Sequence, residues 1–181
     1  MNEHSYKIEA LVLGRRNQGE GDRILTILSK KRGKIFLLAK GVRKLNSHRG
    51  GKMELFNLIR AQVFPGKTWD ILGEVSLIKT HSHLKKSLKR TRAAYEICEI
   101  ASKFLPEKEE NEAVFLLVKE SIERLDYLGA VNVDHLLFSF KVKLLKITGF
   151  WHDNRSPSPL EIDRYIEEIT QSKIKSQKID L

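Results

Sequence analysis

The hydrophobic pattern of the sequence changes its period at about Lys79, and this change constrains the fold more than any other feature. Up to Lys79, short runs of aliphatic and β-branched residues are separated by turn signals, which is typical of strands. Beyond Lys79, apolar residues recur every three or four positions, which is typical of amphipathic helices. The chain is therefore predicted to be an α+β protein, with an all-β N-terminal part followed by an all-α C-terminal part.

Strand-like runs fill the first 80 residues. Pro65-Gly66 is a strong turn signal after the fourth run, and Gly33 can take the positive φ that the turn between the second and third runs needs. Five strands in so short a length favour a closed barrel, because closure removes exposed strand edges. We predict a domain at residues 1–80 that is a five-stranded OB-fold, a barrel of the oligonucleotide-binding type. The predicted strands are residues 6–15, 23–28, 34–39, 54–64 and 71–78.

Amphipathic helices are predicted within residues 81–181, which are expected to form a small helical domain. Pro106 ends the first helix, and Gly129 and Gly149 follow the ends of the second and third. The segment Ser158-Pro159-Leu160-Glu161 has the order of a capping box with proline at the first helical position. A fourth helix is therefore expected to begin there.

Positive charge is concentrated in the first third of the chain. Residues 1–53 carry 13 Lys/Arg against 4 Asp/Glu, whereas residues 81–181 carry 17 against 16. Concentrated positive charge attracts polyanions, so nucleic acid, and single-stranded DNA in particular, is the expected ligand. The alternative is a solvated surface that only aids solubility, but this does not explain why the surplus is confined to one segment.

The candidate nucleic-acid-binding residues are cations in four groups. They lie at the first strand connection, at the turn between the second and third strands, along the polar loop that follows, and at the start of the first helix. In that order they are Arg15, Arg16 and Arg23; Lys30, Lys31, Arg32 and Lys34; Lys40, Arg43, Lys44, Arg49 and Lys52; and Lys85, Lys86 and Lys89.

The last group, which continues into Arg90 and Arg92, has three open interpretations. It extends the nucleic-acid path, receives an acidic peptide tail from a partner, or is a solvated helix face. Charge reversal at Lys119 or Lys141, in the helical part, is expected to weaken binding less than reversal at Lys31, Arg32, Arg43 or Lys44 in the basic third.

Two aromatic residues are candidate platforms for base stacking. Phe36 alternates with lysines along the third strand, and Trp69 lies beside the Pro65-Gly66 turn. A role in the barrel core is at least as well supported for each of them. So few aromatic residues favour contacts to the nucleic-acid backbone, and hence binding that tolerates any sequence.

The sequence contains no convincing catalytic or metal-binding constellation. The glycines between Gly14 and Gly21 lack the spacing of a dinucleotide fingerprint or a P-loop. His81 and His83 have no third ligand nearby, and the single cysteine, Cys98, lies on an apolar helix face. A non-enzymatic protein with no cofactor and no metal is therefore expected.

The sequence also suggests where the protein is located. No run approaches the roughly 20 apolar residues that cross a bilayer, and the N-terminus lacks the order of a signal peptide. A single cysteine excludes an intramolecular disulfide. A cytoplasmic protein without membrane contact is the default expectation.

Short motifs follow one another in a definite order along the chain. The N-terminal ones are YKIEALVL from Tyr6, GEGDRIL from Gly19, Gly33-Lys34, AKGVRK from Ala39, Ser47, Gly50-Gly51, Leu55-Phe56, Gly66-Lys67 and ILGE from Ile71; the C-terminal ones are residues 140–150 and 165–181. This order resembles that of the RecO family of recombination mediators over nearly the whole chain. Many members carry a cysteine cluster after the position of Gly149-Phe150, where this chain has no cysteine. The resemblance therefore implies a member without the zinc module and without structural zinc.

The resemblance further implies a DNA-repair protein that is not an enzyme. Such proteins bind single-stranded and duplex DNA, anneal complementary strands and help to load a recombinase onto strands coated by single-strand-binding protein. The implied partners are RecR and the acidic tail of single-strand-binding protein, and the implied location is the nucleoid. An RNA-binding OB-fold factor is the main alternative, because fold does not fix function. A nucleic-acid-processing enzyme is a third hypothesis, disfavoured by the missing constellation.

Overall fold

Five strands form the N-terminal part of the structure, a computed structural model that describes residues 5–44, 50–151 and 157–178. The strands are β1 (Tyr6–Gln18), β2 (Asp22–Ser29), β3 (Gly33–Ala39), β4 (Leu58–Phe64) and β5 (Asp70–Lys79). They close in the order β1-β2-β3-β5-β4, and every neighbouring pair is antiparallel except β3 with β5. The prediction of a five-stranded closed barrel is confirmed.

The barrel core is made by alternate residues of the strands. Val12 of β1, Leu25 of β2 and Leu37 of β3 are fully buried inside it, together with Ile59 of β4 and Val75 of β5. This alternation is what the period of two in the sequence predicts for strands that line a closed interior.

The fourth strand begins four residues later than predicted. Residues 54–57 form a turn, in which the amide of Asn57 donates to the carbonyl of Glu54 at 3.2 Å. Phe56 takes a positive φ of 72° inside this turn, a conformation that cannot continue a strand. The apolar pair Leu55-Phe56 suggested a strand, but Phe56 is buried within this turn, which hydrogen-bonds to Val12 of β1 through the amide of Phe56 at 3.0 Å.

Among the described residues, the helical part contains four α-helices, as the periodicity predicts. They are α1 (Leu88–Phe104), α2 (Glu112–Asp126), α3 (Val133–Ile147) and α4 (Pro159–Thr170). Short 3₁₀ turns lie at Leu84–Lys86 and Lys175–Lys178 in this part and at Gly50–Met53 in the barrel part. Ser158 caps α4, and a reciprocal hydrogen bond joins its backbone amide to the Glu161 carboxylate at 2.7 Å. The capping box is confirmed.

The chain divides into two compact units. The first contains the described residues up to Thr80 together with Leu105–Glu112, and the second contains His81–Phe104 and the described residues from Ala113 onward. The sequence predicted a single boundary near residue 80. The structure adds to the barrel a short acidic segment that lies between α1 and α2 in the chain.

We call Leu105–Glu112 the acidic segment. Glu107 forms a parallel bridge with Lys34, and the amide of Lys108 donates to the carbonyl of Lys34 at 2.9 Å. Gly33 has a φ of +60°, and a Cβ on it would lie 1.8 Å from the carbonyl oxygen of Glu109. Glycine is therefore required at position 33 by both the backbone angle and the close packing of the acidic segment.

Lys141 in α3 has a structural role. Its ammonium pairs with Glu96 of α1 at 2.5 Å and with Asp163 of α4 at 2.6 Å, and its side chain is only 6% exposed. Lys141 is therefore not the surface cation that the sequence suggested. Reversing its charge would bring three acids together in a buried place, so it is unsuitable as a control for DNA binding.

Glu99 of α1 holds the C-terminal 3₁₀ turn. Its carboxylate accepts hydrogen bonds from Lys103 Nζ (2.6 Å), from the amides of Lys175 (2.9 Å) and Ser176 (2.8 Å), and from the Ser176 hydroxyl (2.6 Å). Burial alone would raise the pKa of Glu99, but these donors outweigh burial and hold the pKa at about 2.

Gly33→Ala should destabilise the barrel far more than Gly19→Ala. Both glycines have a positive φ, but nothing lies within 4 Å of a Cβ at Gly19. Gly19→Ala should therefore cost only the left-handed strain, about 1–2 kcal/mol, whereas Gly33→Ala adds the clash with Glu109, for a total of about 2–4 kcal/mol. Urea unfolding followed by Trp69 fluorescence in a Trp151→Phe background measures both, and equal losses would contradict the packing argument.

The contribution of Glu99 to stability should depend on pH. Its pKa is about 2 in the folded protein and 4.5 ordinarily, so the contribution is complete above pH 4.5 and is lost as the pH falls towards 2. Glu99→Gln should therefore destabilise the second unit at neutral pH, and its difference from wild type should narrow in acid. Urea unfolding followed by Trp151 fluorescence in a Trp69→Phe background tests this, and a difference independent of pH would argue against it.

Candidate nucleic-acid interface

An open patch lies on the outward face of β1, β2 and β3. The strand register sets Gly14 opposite Thr26 and Thr26 opposite Phe36. A bulge between Val12 and Gly14 shifts the alternation of β1 at this point. Thr26 and Phe36 are half-buried, and Gly14 has no side chain to cover them. The result is a surface on which the Phe36 side chain is partly exposed.

Two further side chains border this patch. The guanidinium carbon of Arg16 lies 5.9 Å from the centroid of the Trp69 ring. Trp69 immediately precedes Asp70, which pairs with Leu37 of β3, so the start of β5 brings the indole to the edge of the patch. We call Gly14, Thr26, Phe36, Leu38, Arg16 and Trp69 the sheet face. Neither aromatic candidate belongs to the barrel core.

Arg15 and Arg23 lie at the end of the barrel beside the β1–β2 turn. Both contact the carboxylate of Glu54: Arg15 forms a short ion pair with it, and the guanidinium of Arg23 is 3.9 Å away. Because one acid partly neutralises two arginines, these residues contribute less to the outward potential than Arg16 does. The partner, Glu54, carried no signal in the sequence.

Of the four cations at the β2–β3 turn, two are paired or buried and two are exposed. Lys30 pairs with Glu112 of the acidic segment at 3.0 Å, and this hydrogen bond and charge raise the pKa of Lys30. Lys34 is only 9% exposed, and burial lowers its pKa against the opposing effect of Glu107. Lys31 and Arg32 are exposed. Direct phosphate contact is thus favoured at Lys31 and Arg32 and disfavoured at Lys34.

The connection after β3 presents exposed cations from an ordered turn. Lys40, Arg43 and Lys44 are exposed. The backbone amide of Arg43 donates to the carbonyl of Gly21 at 2.9 Å, and its guanidinium donates to the carbonyl of Gly19 at 3.0 Å. These bonds fix residues 40–44 against the β1–β2 turn.

Two other predicted residues of this connection are placed differently. The ammonium of Lys52 donates to the carbonyl of Val75 at 3.1 Å, so it is already engaged within the barrel. Arg49 lies outside the described residues, and its predicted role stays a prediction.

The second basic cluster belongs to the second unit. Lys85 and Lys86 are exposed on a 3₁₀ turn, while Lys89 pairs with Asp134 at 2.6 Å on the surface. Arg90 has a structural role, because its guanidinium donates to the carbonyl of Leu125 in the last turn of α2 and to those of Tyr127 and Gly129 just after the helix. Only Lys85 and Lys86 of the predicted set are exposed here with no ion pair to a described acid.

The described parts of the chain give little support for a catalytic or metal-binding site. Among those residues, no group of three or more His, Cys, Asp or Glu is placed to hold a metal ion. Cys98 is buried, and burial raises the pKa of its thiol far above the ordinary value, which makes it a poor nucleophile. No described helix is both long and apolar enough to cross a membrane.

The topology and the sheet face define an OB-fold barrel protein with a helical second unit. Residues 1–81 match the family described as "Recombination protein O N terminal", and residues 85–153 match "Recombination protein O C terminal". The chain belongs to the RecO family.

Individual relatives agree with this assignment. The chain is 32% identical over 147 residues to the DNA repair protein RecO of Symbiobacterium thermophilum, covering 80% of this chain and 57% of that protein. It is 31% identical to the protein of the same name from Dehalococcoides mccartyi (strain ATCC BAA-2266 / KCTC 15142 / 195), covering 81% and 57%. The chain thus spans somewhat more than half the length of the curated relatives that it matches.

If the sheet face binds bases, Trp69 fluorescence should change when an oligonucleotide binds. The chain has two tryptophans, so a Trp151→Phe variant leaves Trp69 as the only reporter. Stacking of a base on the indole should quench this emission upon titration with oligo-dT. A Trp69→Phe variant, which reports from Trp151 alone, is the matched control and should respond much less. Binding detected by anisotropy with no change at Trp69 would exclude the indole from the interface.

Proposed function

We propose that this protein acts in DNA repair as a non-enzymatic DNA-binding mediator. In this role it binds single-stranded and duplex DNA, anneals complementary strands and assists recombinase loading. Its membership of the RecO family, whose matched relatives are named DNA repair proteins, supports the repair role. The OB-fold barrel supports nucleic acid as the ligand, because the β2–β3 face of such barrels is a common oligonucleotide-binding surface.

The exposed cations around the sheet face are the observation that carries this proposal. Arg16, Lys31, Arg32, Lys40, Arg43 and Lys44 are all exposed on connections or strand ends of the barrel. Lysine and arginine side chains at such places contact phosphates without reading sequence. The sheet face itself offers Phe36 and Trp69 for stacking, and stacking accepts any base.

The same arrangement supports annealing as the activity. Two complementary strands repel each other through their phosphates, and a surface with many cations screens this repulsion while leaving the base edges unread. A protein that held bases by specific hydrogen bonds would slow their pairing. The sparse aromatic residues and abundant cations of the barrel therefore suit annealing better than sequence recognition.

The proposed protein partners are RecR and the acidic tail of single-strand-binding protein. For the tail, the exposed pair Lys85 and Lys86 is the best-supported contact, because no acid occurs between His81 and Arg92. Attraction between an acidic peptide and such a cluster is screened by salt, so it provides steering more than affinity. We assign no residues to the RecR contact.

Binding to single-stranded DNA should weaken steeply with salt, and it should depend on the barrel cations. Each lost phosphate contact is expected to lower the slope of log affinity against log salt by about 0.7. The double variant Lys31→Glu with Lys44→Glu should therefore bind about tenfold or more weakly at low salt and show a shallower slope. Fluorescence anisotropy with a labelled oligonucleotide measures both quantities.

A double variant in α3 provides the matched control. Lys143→Glu with Lys146→Glu makes the same change of charge at two exposed positions of the second unit, and it should alter affinity by no more than about twofold. Equal loss in both double variants would show that only net charge matters. Affinity unchanged by salt would refute binding through phosphates.

An annealing assay tests the function itself. The wild-type protein should accelerate pairing of complementary strands, both bare and coated with single-strand-binding protein, and the barrel double variant should be slower in both cases. Matched DNA and RNA strands in competition separate DNA repair from RNA binding. A strong preference for RNA, or the absence of annealing by the wild type, would count against the proposal.

A further inference from the structure

A recess of about 650 Å³ lies at the end of the barrel where the β2–β3 turn meets the acidic segment. Its walls come from five stretches of the first unit: the start of β1, the β2–β3 turn, β3 at Ile35, the start of β5 and the acidic segment. The lining includes four cations, Lys7, Lys31, Arg32 and Lys108, and two acids, Asp70 and Glu110. Lys31 and Arg32 also belong to the cations of the proposed annealing surface. Annealing needs only dispersed positive charge, so it does not explain why these cations converge on a recess.

The arginine of the recess is held in place by an aromatic ring. The guanidinium carbon of Arg32 lies 3.9 Å from the centroid of the Tyr6 ring, which is a close stacking distance. The Tyr6 hydroxyl in turn donates a short hydrogen bond to the carboxylate of Asp70. The stack orients the planar fork of Arg32, and an oriented fork loses less entropy when it binds an anion.

The acidic segment shapes the other wall of the recess. The amide of Lys108 is bonded to the carbonyl of Lys34, which fixes the backbone of Lys108 beside the turn that carries Lys31 and Arg32. Packing of Glu109 over Gly33 fixes the same wall on its other side. Cations from separate parts of the chain therefore converge on one recess, whereas cations that bind the backbone of a strand are spaced along a groove.

The balance of charge indicates the kind of anion. Four cations against two carboxylates leave a surplus of two positive charges, and one carboxylate, Asp70, already accepts the Tyr6 hydroxyl. A phosphomonoester carries a charge of about −1.5 to −2 at neutral pH and three acceptor oxygens. An internal phosphodiester carries a single charge and must continue on both sides, which suits a groove better than a recess.

We propose that this recess binds the terminal phosphate of a DNA strand, with Arg32, Lys31 and Lys108 as its ligands. The inference rests on the proposed function, since it assumes that strands reach the barrel. Arg32 contributes a bidentate, planar contact, and the two lysines add point charges. Glu110 is the opposing charge, and it limits the affinity.

Oligonucleotides that differ only at one end test the proposal. Three strands of one sequence carry a 5′-phosphate, a 3′-phosphate or hydroxyls at both ends, and each bears its fluorophore on an internal base. Fluorescence anisotropy at fixed ionic strength should show that one phosphorylated strand binds about fivefold more tightly than the hydroxyl strand. The phosphorylated end that is preferred identifies which terminus enters the recess, and inorganic phosphate should compete for this preference.

Removing a cation from the recess should reduce the preference for the phosphorylated strand, and removing an acid should increase it. Arg32→Ala should abolish it and Arg32→Lys should retain part of it, because the charge stays but the stacked fork is lost. Glu110→Gln should increase it by about twofold or more, because an opposing charge is removed from an exposed position. Lys146→Gln, on the exposed surface of α3, should leave it unchanged. Circular dichroism establishes that each variant is folded.

The outcomes separate this site from the proposed function. Salt-dependent binding with equal affinity for all three strands would overturn the phosphate site and leave DNA binding intact. A preference that survives in Arg32→Ala would also overturn the site, because the phosphate would then be recognised elsewhere. No binding of any strand at low salt would reject both proposals.

Discussion

Two residue pairs close the barrel, and both the sheet face and the recess depend on them. Leu37 pairs with Asp70 and Leu38 with Ile71, in the only parallel pairing between the barrel strands. Without this short contact β5 would not lie against β3, and the sheet would have two open edges. The same contact brings Trp69 to the border of the sheet face and Asp70 to Tyr6. One closure therefore positions both the sheet face and the recess.

The lysines and arginines of the first 53 residues carry the same charge, but they differ in burial and in ion pairing. Lys34 loses hydration by burial, and Lys30 gains a carboxylate from the acidic segment, so neither projects a full charge into solvent. Exposed residues such as Lys31 and Lys44 keep their hydration and remain able to meet a phosphate. A count of charges along the sequence therefore overstates the positive electrostatic potential of the surface wherever an acid from a distant part of the sequence pairs with one of the cations.

Elements that depend on local signals could be predicted from the sequence. The period of two predicted the five strands, and the order Ser158-Pro159-Leu160-Glu161 predicted the start of α4. Contacts between distant residues could not be predicted in this way. Arg15 and Glu54 are 39 positions apart, and no periodic pattern links them. The burial of Lys141 and the docking of the acidic segment onto Gly33 fail to show in the sequence for the same reason.

The arrangement of the first unit suits a protein that must bind DNA and then release it. Exposed cations gain affinity mainly from counterion release, which is strong over many contacts and weak at each one, so strands can exchange quickly. In the proposed function, half-buried Phe36 and Trp69 would add stacking without enclosing a base. The proposed phosphate site in the recess would add what such a surface lacks, a place where one particular group of the strand is held. A strand anchored there by its end would leave its bases exposed along the sheet face, and this is the state in which a complementary strand can pair with it.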